Sequence, residues 1–465
     1  MPERMQSYLE RVQEQIRWKR ARPVLIQELA RHLEDQRDDF IKEGKTPEEA
    51  ERLAVEDMGD PVAVGTELDR IHHPRPQWGL LGLTLALAAV GVFLRVTFSQ
   101  IGGDSRAYFT HTLERALLSL GLGTAVMLAM YFLDVSRLVR HARALYFAAL
   151  ATTVLFHLLF YPTYFYSTYS ISLTLAFYPL VYALWLYSFR DKRWKGLFLS
   201  IFGGVPLAMY LCRIPYGAGL FLLLFSGLTV TLYAAGRDWF GVGRWKGLWA
   251  VLAVPAVLAA YLFSRGYLSS FLGRVQIALH PELDPKCRGF IGSILRMFWE
   301  DVPPLRHYGN VGAAIHAGAR VRVYTGSPFV SEKTVPVGYS HDYLPASIAV
   351  QWGWVPLLVL LAALAVLLLW LLVKGLRQSY LPGRFVVLAV ALTLGLQTLF
   401  SAAMNFGFVL FSASLPLIVG NRQTVVNMAL IGLALSVFRG DSIAREEPNA
   451  PLRQRKRLRV RIEYQ

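Results

Sequence analysis

Long apolar segments alternate with short polar ones over most of the chain, beginning at Trp78. The apolar segments lie near residues 78–98, 113–133, 144–161, 168–189, 194–212, 216–236, 246–268, 346–373, 384–409 and 416–438. A helix needs about 20 apolar residues to cross the hydrocarbon core of a bilayer, and its backbone groups must be paired internally in lipid. The pattern therefore predicts an all-α, polytopic membrane protein of about ten transmembrane helices.

Residues 1–73 have a different pattern, with charges of both signs and no apolar core of the signal-peptide type. A helical apolar stripe is formed by Leu25, Ile26, Leu29, Leu33, Phe40 and Ile41. Thr46 to Glu49 reads as a capping box with proline at the first helical position. Gly59-Asp60-Pro61 ends one helix on glycine and begins the next. These signals predict a small bundle of three or four helices.

The short loops between the apolar segments differ in charge. One alternating set carries most of the cations: Arg137, Arg140, Arg143, Arg190, Lys192, Arg193, Lys195, Arg237, Arg244, Lys246, Lys374, Arg377 and Arg384. The other set carries only Arg106 and Arg213. Because cytoplasmic loops are enriched in Lys and Arg, both termini are predicted to be cytoplasmic. The expected organisation is a bundle at 1–73, a multi-pass domain of the cytoplasmic membrane at 74–439 with an extracellular loop at 269–345, and a basic cytoplasmic tail at 440–465.

The composition agrees with a membrane protein: 54% of the 465 residues are hydrophobic and 17% are charged. The net charge of +16 does not indicate nucleic-acid binding, because the cations are spread over short loops and a tail. Anionic membrane lipid is the expected partner of these cations. With only Cys212 and Cys287, the chain has no disulfide framework.

Candidate chemistry lies in the one long polar interval, from Arg274 to Trp354. Asp342 is placed where this interval enters the next apolar segment, and a carboxylate at that depth is costly and usually functional. Its pKa there is expected to rise toward working pH, which suits a general base. The alternative is that Asp342 caps the following helix.

The N-terminal bundle contains the motifs Gln27-Glu28-Leu29, His32-Leu33-Glu34-Asp35, the run from Glu43 to Ala50, and Met58-Gly59-Asp60-Pro61. In these motifs it resembles the HAAS, or permease prefix, domain. This domain precedes many membrane proteins of Gram-positive bacteria and does not by itself indicate a chemistry.

Several stretches of residues 78–439 occur in a recognisable order: Tyr108 to Leu118 with Arg115, Leu133 to Leu138, Ile214 to Gly219, Arg274-Val275 with His280-Pro281-Glu282, Ser340 to Leu344, and Leu415-Pro416 with Val426-Asn427-Met428 and Ile431-Gly432-Leu433. With them, residues 78–439 resemble the SEDS family (FtsW/RodA/SpoVE), whose members act in shape, elongation, division and sporulation. Members of the family are glycosyltransferases that polymerise peptidoglycan from lipid II together with a class B penicillin-binding protein.

The resemblance implies that Asp342 is the catalytic aspartate. Transfer from a lipid-pyrophosphate donor with inversion also needs positive charge at the leaving group, from arginines or from a divalent cation such as Mg²⁺ or Mn²⁺. The predicted substrate-binding residues are Arg115, Arg274, Arg288 and His341, of which Arg115 and Arg274 match family positions. For His341 the alternative is a polar residue at headgroup level. No metal-ligating residues are predicted.

The sequence departs from the family at several acidic positions. Val350 and Gln351 replace a pair of glutamates, and Tyr216 replaces another acidic residue. Two alternatives to an active enzyme therefore stay open: a non-catalytic scaffold or regulator of cell-wall synthesis, and a lipid or solute transporter. A transporter would depend on polar residues within the membrane, of which the sequence has few.

Overall fold

The computed structural model describes residues 2–19, 21–72, 76–101, 106–160, 176–211, 218–264, 344–345, 348, 352, 354–378, 380–405, 414–418 and 422–440. All regular secondary structure within these ranges is helical. The predicted all-α class is therefore confirmed for them. The N-terminal helices and the membrane helices belong to separate compact units.

The N-terminal unit contains four helices: α1 (Glu3–Gln15), α2 (Arg22–Lys42), α3 (Pro47–Asp57) and α4 (Pro61–His72). Their apolar stripes meet in a core in which Met5 and Leu33 are fully buried. The Tyr8 hydroxyl donates a hydrogen bond to the carbonyl oxygen of Met58 at 3.3 Å. Burial, with a smaller contribution from the charge of Asp60, raises the pKa of Tyr8 to about 12.

The helix starts read from the sequence of this bundle are present. The Thr46 side chain accepts a hydrogen bond from the backbone N–H of Glu49 at 3.3 Å. Asp60 accepts one from the backbone N–H of Ala63 at 3.0 Å. Gly59, between α3 and α4, has a φ of 76°, which glycine adopts without steric cost. Local capping chemistry thus separates the two helices where the sequence predicted.

The membrane unit contains α5 (Trp78–Ile101), α6 (Arg106–Phe132), the short α7 (Val135–Arg140), α8 (Ala142–Phe160), α9 (Tyr178–Tyr187), α10 (Arg193–Leu211), α11 (Ala218–Gly236), α12 (Arg244–Ser264), α13 (Trp354–Leu376), α14 (Leu381–Asn405) and α15 (Arg422–Gly440). Each apolar segment read from the sequence contains one of these helices. The bounds of α13 begin at Trp354, and the predicted start at residue 346 lies outside the described residues. For α9, part of the predicted segment at 168–189 lies outside the described residues.

Five of these helices are long and apolar enough to cross a membrane within the described residues: α5, α6, α13, α14 and α15. Within their apolar windows, α14 and α15 are 67% and 72% buried, whereas α5, α6 and α13 are 22–39% buried. The outer helices expose large apolar side chains such as Leu118, Leu122 and Val359. Lipid is the environment in which such faces are stable. The core of this unit is therefore built on α14 and α15.

The short helix α9 is the second centre of packing. It contacts α8, α10 and α11, and its side chains from Tyr178 to Leu186 are largely buried. A helix that is apolar on all sides is expected in the interior of a large bundle. Its ten residues are too few to span the hydrocarbon core alone.

Candidate functional site

The predicted site residues are only partly within the described ranges. Asp342, His341, Arg274 and Arg288 lie outside the described residues. Arg115 is on α6, and its side chain is exposed. The structure therefore describes one of the five predicted site residues, together with the helices on which the site would be built.

The segment that follows Asp342 is anchored to the membrane unit by apolar side chains. Leu344 and Ile348 are 8% and 1% exposed. The ring of Trp352 lies 6.1 Å from the ring of Phe93 on α5, centroid to centroid. Further contacts join α13, which begins at Trp354, to α5. Of the described residues after Asp342, Leu344 and Ile348 are thus buried, and Trp352 packs on α5.

Helix α5 in turn packs along α6, the helix that carries Arg115. Two residues beyond Phe93, α5 carries Arg95, which is half-buried and whose Nε atom is fully buried. An arginine inside an apolar helix is costly and is usually retained for function or pairing. Arg95 is not among the residues predicted from the sequence, although a cation near the end of an apolar segment is a signal that could have identified it.

The segment Leu415–Ile418, which precedes α15, is fixed by tight contacts. Leu417 has a positive φ of 70°, and its carbonyl oxygen accepts a hydrogen bond from the Thr424 hydroxyl at 3.4 Å. A Cβ on Gly91 of α5 would lie 2.5 Å from the carbonyl oxygen of Ile418. Glycine is therefore needed on α5 for this segment to pack against it.

The motif residues of α15 also have structural roles. A Cβ on Gly432 would lie 2.3 Å from the carbonyl oxygen of Met127 on α6. A Cβ on Gly123 of α6 would lie 2.5 Å from the sulfur of Met428. Small residues at these crossings let the backbones of α6 and α15 approach closely, as is common in membrane helices. The position of Arg115 is thus set by the packing of α6 on both α5 and α15.

Uncharged polar side chains form a column on one face of α14: Thr393, Gln397, Ser401 and Asn405, spaced four residues apart and all buried. Gln397 and Asn427 of α15 exchange two amide hydrogen bonds, at 3.2 and 3.4 Å. Pairing across helices satisfies groups that would otherwise be stranded in an apolar interior. This column was not evident from the sequence, because its members are separated by apolar residues.

Within the described residues there is no group of three or more His, Cys, Asp or Glu side chains that could hold a metal ion. Most of the polar interval at 269–345 lies outside those residues. The divalent cation considered from the sequence stays a prediction.

Comparisons with known proteins identify a solved structure that has the same fold. No protein-family model and no curated protein matches the sequence. Among solved structures, a chain from work on "Structural coordination of polymerization and crosslinking by a peptidoglycan synthase complex" has a TM-score of 0.54 with this chain. The two chains are 20% identical, and the match covers 79% of this chain and 98% of the other. This chain has the same fold.

The Rod shape determining protein RodA of Thermus thermophilus also matches, with a TM-score of 0.48 and 18% identity over 79% of this chain and 97% of that chain. A mutant of the same protein matches with a TM-score of 0.48 and 17% identity, over 79% of this chain and 98% of that chain. The polytopic membrane fold predicted from the sequence is confirmed by the synthase-complex chain, which is matched over almost its full length.

Proposed function

We propose that this protein polymerises glycan strands of peptidoglycan from lipid II at the outer face of the cytoplasmic membrane. The observation that carries the proposal is the fold shared with a chain of a peptidoglycan synthase complex. The ordered resemblance of residues 78–439 to the SEDS family supports it further. Such a protein would act in elongation, division or sporulation, with a class B penicillin-binding protein as partner.

In this proposal Asp342 is the general base. It takes a proton from the attacking sugar hydroxyl while the bond between the donor sugar and its pyrophosphate breaks, with inversion at the donor carbon. The pyrophosphate leaves with the lipid and needs positive charge beside it. Arg115, Arg274 and Arg288 would supply that charge, and His341 would contact the substrate beside Asp342.

The packing of the described residues supports this assignment. Trp352, ten residues after Asp342, packs on α5, and α5 packs on α6 with Arg115. An exposed arginine near a lipid-facing surface suits a substrate that arrives through the bilayer. A short anchored segment after Asp342 would hold the carboxylate near that surface.

The test is polymerisation of purified lipid II by the full-length protein with its penicillin-binding partner. Loss of a general base typically costs about 10²–10⁴ in rate, so Asp342→Asn should lower polymer formation at least about 100-fold. Asp301→Asn removes another carboxylate of the same polar interval and should leave the rate unchanged.

Two outcomes contradict the enzymatic proposal. If the Asp342→Asn variant polymerised lipid II at the wild-type rate, the Asp342 carboxylate would have no part in the reaction. No polymer from the wild-type complex, with an active partner, would favour the non-catalytic scaffold that the replaced acidic positions Val350, Gln351 and Tyr216 leave open.

A further inference from the structure

A group of cations near the starts of α8, α10 and α14 and just after α9 and α11 contacts aromatic side chains. Arg143 and Lys192 lie 5.2 and 5.0 Å from the centroid of Phe189, Arg190 lies 5.6 Å from that of Trp239, and Arg237 lies 5.7 Å from that of Tyr233. The Tyr233 hydroxyl also accepts a hydrogen bond from Arg384 at 3.3 Å. We call these five basic residues the cationic patch.

The rings beneath the patch are fixed in the protein. Phe189 and Trp239 are 6% and 7% exposed. The ring of Phe385 lies 4.1 Å from that of Trp239 and 5.6 Å from that of Tyr233, centroid to centroid. The backbone N–H of Asp191 donates to the carbonyl oxygen of Trp239 at 3.0 Å and ties the two loops together. The aromatic rings that contact the cations are therefore largely buried and packed against other aromatic rings, which fixes the positions of the cations.

An aromatic ring positions a cation without cancelling its charge. Of the nearby carboxylates, Asp191 pairs with Arg190 of the patch at 3.5 Å, and Asp238 accepts a hydrogen bond from the backbone N–H of Gly243 at 2.8 Å. Within the described part of the chain, Arg143, Lys192 and Arg237 form no ion pair. The patch is thus a preorganised site of positive charge.

The surroundings of the patch indicate which anion would bind. Trp194 at the start of α10 is 42% exposed, and Trp245 and Trp249 in the first turns of α12 are 69% and 71% exposed. Tryptophan is enriched where protein meets the headgroup region of a bilayer. Beyond them α10 presents exposed Phe198 and Phe202. A ligand that binds the patch would therefore have its charged group at the headgroup level and an apolar part against α10.

We propose that the cationic patch binds the phosphate of an anionic phospholipid, with its acyl chains along the exposed apolar face of α10. Arginine and lysine are the usual ligands of lipid phosphates at this level of a membrane protein. The site is separate from the proposed glycosyl transfer, because none of its residues is among those assigned to that reaction.

The experiment measures binding of phosphatidylglycerol and phosphatidylcholine to the full-length protein by native mass spectrometry. The variant Arg143→Gln/Lys192→Gln removes the two exposed cations over Phe189. Each cation near an anionic headgroup contributes about 1 kcal/mol, so the dissociation constant for phosphatidylglycerol should rise at least about tenfold. The wild-type protein should bind phosphatidylcholine at least about tenfold more weakly than phosphatidylglycerol.

The matched control is Lys374→Gln/Arg377→Gln, which removes two exposed cations from the end of α13 and should leave the affinity unchanged. If both double variants lost affinity for phosphatidylglycerol equally, the binding would reflect general attraction to positive charge, and the proposed site would be wrong. Equal binding of the two lipids, or displacement of phosphatidylglycerol by millimolar inorganic phosphate, would also overturn it. The unfolding temperature of each variant checks that the fold is retained.

Discussion

Asp342 and Arg115 show what single residues contribute to the proposed chemistry and how differently the two were identified. Asp342 is predicted because a carboxylate is costly at a lipid boundary, and it lies outside the described residues. Arg115 is predicted from the family resemblance, and it is exposed on α6. In the proposed reaction Arg115 would bind the donor pyrophosphate, and Asp342 would accept the proton.

Replacing Arg115 by glutamine should weaken binding of lipid II more than it slows the chemical step. A hydrogen bond to a charged group contributes about 1.5–3 kcal/mol, so KM for lipid II should rise about 10- to 100-fold, with a smaller change in kcat. Arg115→Lys should recover part of the loss because it keeps the charge. Arg377→Gln is the control for removal of an exposed cation, and an unchanged KM in Arg115→Gln would exclude Arg115 from the site.

Residues whose partners are close in sequence could be predicted, and residues whose partners are distant could not. Thr46 and Asp60 cap helices through backbone groups three residues away, so the sequence alone was sufficient. The pairing of Gln397 with Asn427 depends on which helix faces which, and that information is absent from a single apolar segment. The buried polar column on α14 also could not be predicted, because its burial depends on which helices surround α14.

At the scale of the helical elements, α15 depends on close contact with α6. The carbonyl oxygen of Met127 stands where a side chain on Gly432 would begin, at 2.3 Å from an added Cβ. A backbone carbonyl group cannot move aside for an added methyl group in the way that the end of a flexible side chain can. The glycine in this motif is thus explained by packing, without any role in the chemistry.

Gly432→Ala should destabilise the membrane unit, since overpacking a core typically costs about 1–3 kcal/mol. Gly395 on α14 has nothing within 4 Å of an added Cβ, so Gly395→Ala is the matched control and should be neutral or slightly stabilising. Thermal unfolding in detergent gives the comparison. Equal unfolding temperatures for the two variants would contradict the close contact of α6 and α15.

At the scale of the whole molecule, hydropathy predicted the order of the membrane helices well. A difference is found before α15, where residues 416–418 form a turn within the predicted apolar segment. Length and hydropathy do not distinguish a spanning helix from a short buried one such as α9. The side of the membrane on which each loop lies rests on charge alone.

That orientation predicts which cysteines a membrane-impermeant maleimide reaches in sealed right-side-out vesicles. In a background of Cys212→Ser and Cys287→Ser, Ser340→Cys should be labelled in sealed vesicles because it lies in the predicted extracellular loop. Ser7→Cys, exposed on α1, should be labelled only after the vesicles are opened. Labelling of Ser7→Cys in sealed vesicles would reverse the predicted orientation.

The most direct measurement for the proposed function compares lipid II binding with lipid II polymerisation in the Asp342→Asn protein. We expect the dissociation constant to stay within about twofold of wild type while the rate of polymer formation falls at least about 100-fold, because only the proton transfer is lost. Polymerisation at the wild-type rate, or a loss of activity accounted for entirely by weaker binding, would contradict Asp342 as the general base.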